Sequence, residues 1–335
     1  MPNMSISASG TVVKDAAGEH QNHDQPSHDH YLLKTLIRES QGRKRLPIAV
    51  CWPCSTVSLA GAIEAADAGI IHPLLVGPES ELAGIASVLG FDLNLCELIH
   101  ADSDEEAAVK SVELCRTGRA AALMKGSLHT DLLMRAVLDK EAGLRTSRRV
   151  SHVFVLEAPL YHRTLFITDA AINIYPTLED KIHIVQNVID LAHVLGVKEP
   201  RVAILSAVET VSPKITSTLD AAALCKMADR GQITGAILDG PLAFDTAVSA
   251  EAARVKSLKS QVAGEADILL VPDLESGNML AKQLEYLGGA QLAGVVLGAK
   301  VPIILTSRAD AAESRVASCA IASALIASAP LASQP

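Results

Sequence analysis

The sequence predicts an α/β protein built on mainly parallel β-sheets with helices packed against them. Short aliphatic runs alternate with helical stretches along most of the chain, which is the pattern of consecutive β-α-β units. The composition agrees, because 49% of the residues are hydrophobic but only 3% are aromatic, and aliphatic side chains suit a parallel sheet covered by helices. A length of 335 residues predicts two domains, since one domain usually spans about 100–200 residues.

The first half of the chain supplies three strands and two helices. The apolar run at 46–51 predicts a buried strand, and Ser55 can cap the next helix because its hydroxyl can accept a bond from a free backbone amide. Gly69 ends that helix after Ala68. The other elements predicted here are strands at 73–77 and 120–124 and a helix at 104–118.

The second half repeats this alternation. The helix predicted at 181–195 places Ile182, Val185 and Ile189 mostly on one side and is followed by Gly196. Another helix is predicted at 215–230, before Gly231. Aliphatic runs predict strands at 153–156, 165–168, 202–205, 233–238, 268–271, 295–297 and 303–305.

The charge balance argues against nucleic acid as a partner. Lys and Arg total 29 against 38 Asp and Glu, so the net charge is −9 and no basic face is evident. We identify no signal peptide, and the Ala- and Ser-rich stretch at 316–332 predicts a buried terminal helix rather than a membrane span. We therefore expect a cytoplasmic protein without membrane contact.

Residues 1–30 predict a disordered N-terminal arm. They are polar and contain four histidines, His20, His23, His28 and His30. A histidine cluster can bind a metal ion, but no adjacent apolar run would fix the geometry of these ligands. We expect no metal site in this arm.

The residues that follow each strand are the candidates for function, because parallel sheets bind ligands beyond the carboxyl ends of their strands. Lys125, Gly126 and Ser127 follow the strand at 120–124, and Arg135 lies in the next helix. A glycine lets backbone amides approach an anion, and the two cations and the helix N-terminus add positive charge. This segment is either a phosphate site or an ordinary turn with surface charges.

Two acidic segments follow later strands and are further candidates for substrate binding. Asp239 and Asp245 come after the strand at 233–238, where the alternative is an Asp bonded to its own backbone in a turn. Asp273, Glu275 and Asn278 come after the strand at 268–271. A capped helix start would explain only part of this second group.

The last strand is followed by Ser307, Arg308 and Asp310, which open the final helix. An oxyanion at this place would be stabilised by the hydroxyl, the guanidinium and the helix dipole together. The alternative is an N-cap serine beside a solvated arginine.

Motifs for other chemistries are weak or missing. Cys51 and Cys54 form a C-x-x-C after a strand, but no other thioredoxin-like feature accompanies them. The sequence has no G-x-S-x-G elbow and no G-x-G-x-x-G after a strand. Hydrolase and standard dinucleotide-binding interpretations therefore have little support.

Taken in order, these segments resemble the phosphate acetyltransferase/phosphate butyryltransferase family. The resemblance covers about residues 32–327, and the motifs are most similar to those of the butyryltransferase subgroup. It is carried by motifs in register at 123–126, 140–146, 151–153, 168–171, 217–222, 226–232, 239–243 and 301–310.

The resemblance implies two α/β/α domains with mainly parallel sheets and an active site in the cleft between them, an architecture like that of isocitrate and isopropylmalate dehydrogenases. Residues 31–147 and 295–335 would form the first domain, and 148–294 the second. It also implies a homodimer or a larger homo-oligomer.

The reaction that the resemblance implies is the reversible transfer of an acetyl or butyryl group between coenzyme A and inorganic phosphate. Both are substrates, and no permanently bound cofactor, metal or covalent acyl-enzyme is implied. Ser307 would stabilise the tetrahedral oxyanion, Arg308 would hold phosphate, and Arg135 would lie near phosphate or coenzyme A. Asp310 is our choice of catalytic base, although Glu313 or a residue at another strand end is an alternative.

Two other functions stay open. An NAD(P)-dependent decarboxylating dehydrogenase would need metal-binding carboxylates, which Asp239, Asp245 and Asp273 could supply, and a dinucleotide site, which the sequence does not show. A non-catalytic, ligand-sensing relative would be expected to lack Ser307 or Arg308, and both are present.

Overall fold

A computed structural model describes residues 32–307 and 312–328. Within these residues eleven strands form one large, mostly parallel sheet, which confirms the α/β class. The predicted arm at 1–30 lies outside the described residues, as do Arg308 and Asp310.

Ten of the eleven described strands were predicted in this order, with boundaries that shift by a few residues, whereas the strand at Glu97–His100 was not predicted. The strands are β1 Leu46–Cys51, β2 Ile71–Gly77, β3 Glu97–His100, β4 Ala122–Lys125, β5 Ser151–Glu157, β6 Leu165–Thr168, β7 Arg201–Leu205, β8 Ile237–Leu242, β9 Ile268–Leu270, β10 Gln291–Leu297 and β11 Ile303–Ile304. The helices are α1 Leu32–Gln41, α2 Thr56–Asp67, α3 Glu79–Leu89, α4 Asp104–Arg116, α5 Thr130–Val137, α6 Leu178–Val194, α7 Thr216–Asp229, α8 Phe244–Val248, α9 Ala250–Val255, α10 Leu274–Tyr286 and α11 Ala312–Ser328.

Two groups of parallel strands are joined through an antiparallel centre. The spatial order is β3-β2-β1-β4-β11-β10-β5-β6-β9-β7-β8. Strand β10 pairs antiparallel with both β11 and β5, and β5 pairs antiparallel with β6. The division into two domains stays a prediction, and the boundary proposed after residue 294 falls inside β10.

Helices cover both faces of the sheet, as the alternation of side chains along β1 shows. Ile48 and Val50 pack in the same apolar cluster as residues of α2, α6 and α11. Ala49 and Cys51 point the other way, into a cluster with residues of α4 and α5. A strand buried on both faces carries a continuous apolar run, which is why 46–51 was recognisable from the sequence.

The terminal helix is buried, as its Ala- and Ser-rich composition predicts. Its residues from Arg315 to Ala324 are all buried, and α11 contacts α1, α2 and β10. Small side chains allow this close approach of several elements. Within 32–307 and 312–328, no helix has the length and apolar character needed to cross a membrane.

One predicted element is displaced, and this changes the position of Asp239. The strand expected at 233–238 begins at Ile237, where its register with β7 starts and the Ile237 amide bonds to the carbonyl of Pro200 at 2.9 Å. Asp239 and Pro241 therefore lie inside β8 rather than after it. An edge strand tolerates these residues because one side of its backbone has no partner strand.

A buried carboxylate fixes three neighbouring strands at their amino ends. Asp267 directly precedes β9 and accepts a 2.9 Å bond from the backbone amide of Arg201 in β7. It also pairs at 2.9 Å with Arg163, which precedes β6. Because β6 and β9 carry candidate residues at their opposite ends, Asp267 helps to set where those residues lie.

Replacing Asp267 with Ala is expected to lower the free energy of unfolding by about 2–4 kcal/mol, since the side chain is 6% exposed and both the guanidinium of Arg163 and the backbone amide of Arg201 would lose their acceptor. Urea denaturation measures this change. Asp229→Ala is the control, because the Asp229–Lys226 pair is 62% and 66% exposed. Equal effects of the two substitutions would contradict the role given to Asp267.

Candidate active site

A large cavity near the predicted residues lies between α5 and α10. This main cleft has a volume of about 800 Å³. Its walls include Lys125 at the end of β4, Ile172 after β6, Glu275 after β9 and Ser307 after β11, with Phe154 of β5 between them. The carboxyl ends of four strands from both groups therefore meet at one cavity, as a doubly wound sheet requires of a ligand site.

Lys125 is a buried cation that faces the main cleft. The residue is only 7% exposed, and its Nζ donates a hydrogen bond to the carbonyl of Gly126 at 3.3 Å. Desolvating an ammonium group is costly, so a lysine is rarely buried to this extent unless charged or polar groups compensate it. Lys125 therefore places a largely desolvated positive charge in the wall of the main cleft.

Gly126 is required by the close approach of β1. A Cβ at this position would lie 2.4 Å from the carbonyl oxygens of Cys51 and Trp52. The amide of Gly126 bonds to Cys51 at 2.8 Å, and both the amide and the hydroxyl of Ser127 bond to Trp52 at 2.9 Å. Lys125 consequently precedes a turn whose backbone is fixed by hydrogen bonds. The hydroxyl of Ser127 bonds to the carbonyl of Trp52.

Ser307 lies in the wall of the main cleft, where the sequence predicts the oxyanion site. Its carbonyl accepts a 3.0 Å bond from Nη2 of Arg315, a residue of α11 that is 4% exposed. Helix α2 makes room for this arginine, because a Cβ on Gly61 would lie 2.2 Å from its Cδ. Arg315 thus ties the end of β11 to the two helices beneath it.

Helix α10 brings two of its three predicted residues to the main cleft. Glu275 and Asn278 line it, and Nδ2 of Asn278 donates to the carbonyl of Ala170 at 3.2 Å. Asp273 instead caps α10, with its carboxylate accepting 2.8 Å bonds from the amide and hydroxyl of Ser276. Of these three residues, only Asp273 is explained by the alternative role of capping the start of a helix.

Three other predicted residues do not reach the main cleft. Arg135 lines a separate cavity between α4 and α5. Asp239 lies within β8, where its Oδ1 accepts a 2.8 Å bond from the amide of Gly240. Asp245 forms an ion pair with Lys256 at 3.0 Å, and hydrogen bonding to Lys256 lowers the pKa of this carboxyl.

The carboxylates considered for a dehydrogenase metal site do not converge. Asp239, Asp245 and Asp273 each have a separate local partner. Across the described ranges, no group of three His, Cys, Asp or Glu side chains has an arrangement that could hold a metal ion. This geometry gives the dehydrogenase alternative no support.

Both thiols of the C-x-x-C motif have raised pKa values, whereas redox-active thiols have lowered ones. Burial raises the pKa of Cys51 to about 12 and that of Cys54 to about 12. Redox-active cysteines of this motif have lowered pKa values, because the thiolate is the reacting species. The thioredoxin-like interpretation is therefore unsupported.

Sequence reasoning missed two residues that shape the main cleft. Lys282 lines it, with Nζ 5.9 Å from the ring centre of Phe154. Asp169, which is 2% exposed, accepts bonds from the amides of Ala171 and Ile172 at 2.9 and 3.0 Å and so fixes the turn after β6. The position of Asp169 directly after a predicted strand was an available signal, whereas nothing local identified Lys282.

Comparison with known proteins decides the family. Residues 100–323 match the family model described as phosphate acetyl/butaryl transferase. The chain belongs to this family. The resemblance recognised in the sequence motifs is thereby confirmed.

Relatives from both branches of the family cover most of the chain. The phosphate acetyltransferase of Rhizobium meliloti is 59% identical over 285 residues, which are 85% of this chain and 90% of that protein. The phosphate butyryltransferase of Clostridium acetobutylicum is 44% identical over 285 residues, which are 85% and 95% of the two chains. The crystal structure of a branched-chain phosphotransacylase from Enterococcus faecalis V583 has 31% identity and a TM-score of 0.71, covering 83% of this chain and 99% of its own.

Gly61→Ala is expected to lower the rate of acyl transfer about tenfold, because the new methyl group would displace Arg315 and release the carbonyl of Ser307. Steady-state kinetics of the folded variant measures this loss as a change in kcat. Gly84→Ala in α3 is the matched control, since a Cβ there meets nothing within 4 Å. That substitution is expected to leave kcat unchanged and to stabilise the helix by up to about 1 kcal/mol. Identical kcat values for the two variants would show that Arg315 does not position Ser307.

Proposed function

We propose that this protein is a phosphate acyltransferase that reversibly transfers a short acyl group between coenzyme A and inorganic phosphate, forming an acyl phosphate. The observation that carries the proposal is that Lys125, at the end of β4, and Ser307, after the adjacent parallel strand β11, line one cleft. Membership of the phosphate acetyl/butaryl transferase family supports the same reaction.

In the proposed reaction, the enzyme has to stabilise developing negative charge and uses no permanently bound cofactor. A phosphate oxygen attacks the thioester carbonyl, the carbonyl oxygen becomes an oxyanion, and the coenzyme A thiolate leaves as the carbonyl re-forms. In our proposal the hydroxyl of Ser307 donates to the oxyanion and the guanidinium of Arg308 holds phosphate. Lys125 adds positive charge in a poorly hydrated site, where a fixed cation stabilises developing negative charge more strongly than in water.

The reverse direction needs a thiolate. A free thiol has a pKa of about 8.5, so at neutral pH a base or a nearby cation must promote its ionisation. Asp310 is the base proposed from the sequence. Glu313 is the other base named from the sequence, and among the described residues that line the main cleft Asp131, His129 and Glu275 are further alternatives.

Acetyl is the acyl group we propose first and butyryl the second. The higher identity to a phosphate acetyltransferase, 59% against 44% to a phosphate butyryltransferase, supports this order. Phe154, Ala171 and Leu305 contribute apolar surface to the main cleft and leave room for a longer chain. Each added methylene changes binding by only about 1–3 kcal/mol, so we propose overlapping rather than exclusive substrates.

We further propose a cytoplasmic homodimer whose subunits each contain two domains with the active site between them. An exposed apolar surface near the turn after β5 supports self-association. Leu160 there is 99% exposed, and Leu287 at the end of α10 is 86% exposed. These two segments are neighbours, since a Cβ on Gly289 would lie 3.9 Å from Pro159.

The reaction class is tested by following thiol release from acetyl-, propionyl-, butyryl- and octanoyl-coenzyme A, with and without phosphate. We expect release that requires phosphate and is fastest with the acetyl or butyryl substrate. Formation of acyl phosphate in equal amount would confirm the transfer. A folded sample that releases no thiol from any of the four substrates would exclude the proposed function.

Arg308→Ala is expected to reduce kcat by at least about two orders of magnitude, the scale of losing one donor to a developing oxyanion. Ser307→Ala should fall in the same range. Arg254→Ala is the control, because Arg254 pairs on the surface with Glu251 and both side chains are more than half exposed. Near-normal turnover of a folded Arg308→Ala variant would remove that residue from the catalytic group.

A further inference from the structure

His152 is a fully buried polar side chain that the proposed reaction steps do not use. It lies in β5 and is 0% exposed, two residues before Phe154, which lines the main cleft. Side chains two residues apart in a strand point to the same face, so His152 lies on the face of β5 that carries the cleft. Burying an imidazole costs free energy unless hydrogen bonds replace the lost water, so its partners indicate its role.

The imidazole reaches across the antiparallel centre of the sheet to the segment that carries Ser307. Its Nε2 lies 3.4 Å from the carbonyl oxygen of Leu305, which follows β11. A backbone carbonyl can only accept a hydrogen bond, so Nε2 carries the proton and donates it. The side chain of His152 is thereby joined to the residue two positions before Ser307, although β10 lies between β5 and β11.

Gly294 of β10 makes room for this contact. It pairs with Phe154 in the register of β5 and β10, and its carbonyl accepts a 3.3 Å bond from the amide of Leu305. A Cβ on Gly294 would lie 2.4 Å from the carbonyl oxygen of Leu305 and 3.0 Å from Nε2 of His152. The space that a side chain would fill is therefore occupied by the donor and the acceptor of this hydrogen bond.

The ring and the backbone of His152 are both fixed by neighbouring residues. The ring meets that of Phe154 edge-on, with 4.4 Å between the centroids and an angle of 76° between the planes. The hydroxyl of Thr168, at the end of β6, donates to the carbonyl of His152 at 2.8 Å. Thr168 directly precedes Asp169, which fixes the turn after β6. His152 consequently connects the end of β6 to the segment after β11.

Arg315 holds the same segment from the other side. Its Nη2 donates from α11 to the carbonyl of Ser307 at 3.0 Å. Residues of α11 pack in the same apolar cluster as Val153 of β5, whereas Phe154 belongs to the cluster on the opposite face. The segment from Leu305 to Ser307 is therefore held from both faces of the sheet. Donors fixed in this way need no reorganisation when charge develops in the transition state.

We propose that His152 is a positioning residue for acyl transfer, which holds the hydroxyl of Ser307 at the place where the oxyanion forms. This inference rests on the proposed function. The hydrogen bond to Leu305 restricts the backbone two residues before Ser307, so His152 acts without touching a substrate. Displacing a reacting group by about 1 Å can cost up to ~10²-fold in rate, which is why a remote contact of this kind affects turnover.

The test compares three substitutions that fill the same space differently. Glutamine places an amide donor near the position of Nε2, whereas asparagine is shorter and leucine has no donor. His152→Gln is expected to keep at least about half of kcat, while His152→Asn and His152→Leu lose about tenfold. KM for phosphate and for acyl-coenzyme A should change by less than about twofold, because the hydroxyl of Ser307 bonds to the oxyanion of the transition state.

A double substitution separates positioning from a general structural effect. Since His152 acts through Ser307 in this proposal, adding His152→Leu to Ser307→Ala should lower kcat no further than Ser307→Ala alone, whereas independent effects would multiply. His72→Leu is the matched control, because it makes the same substitution at an exposed position near the amino end of β2. It should leave kcat unchanged.

Urea denaturation checks that each variant is folded in the assay, and His152→Asn replaces His152→Leu throughout where the leucine variant does not fold. Full kcat in the asparagine or leucine variant, equal losses in the glutamine and asparagine variants, or multiplying effects with Ser307→Ala would overturn this inference. Phosphate-dependent thiol release by the original protein would still keep the proposed function in each of these cases. A folded original protein that releases no thiol would exclude both.

Discussion

The antiparallel pairing of β10 with β5 and β11 is the constraint on which the rest of the structure depends. The register runs from Gln291 opposite Glu157 to Leu297 opposite Ser151, so both strands pair along their whole lengths. On one side of this centre lie β4 and β11, and on the other lie β6 and β9. Each pair sends the residues after its strands into the main cleft. A slip of one residue in this register would turn every central side chain to the opposite face and separate the two walls.

At two positions, only glycine allows the close packing that places a functional side chain. Gly126 lets the end of β4 lie against β1 and thereby presents Lys125. Gly61 lets Arg315 cross α2 and reach the backbone of Ser307. In both places a small residue remote from the chemistry determines where a functional group lies, because a packed interior has no free volume to absorb a displacement.

An acidic protein that handles anionic substrates must place its cations locally. The net charge of −9 gives no long-range attraction for phosphate or coenzyme A. The buried ammonium of Lys125 instead acts at short range, where low dielectric and fixed geometry count most.

The sequence by itself determined the α/β class, ten of the eleven described strands and the family, because apolar periodicity and long motifs are local properties of the chain. It did not predict the helices α1, α3, α8 and α9. It marked Lys125, Glu275, Asn278 and Ser307, since residues after parallel strands gather at one edge. Only the tertiary structure decided which of the candidates share a cavity. It placed Arg135, Asp239 and Asp245 elsewhere, brought Lys282 to the main cleft and bonded Arg315 to the carbonyl of Ser307. Those positions follow from helix packing and strand register between residues far apart in the chain. A local pattern carries no record of such long-range contacts.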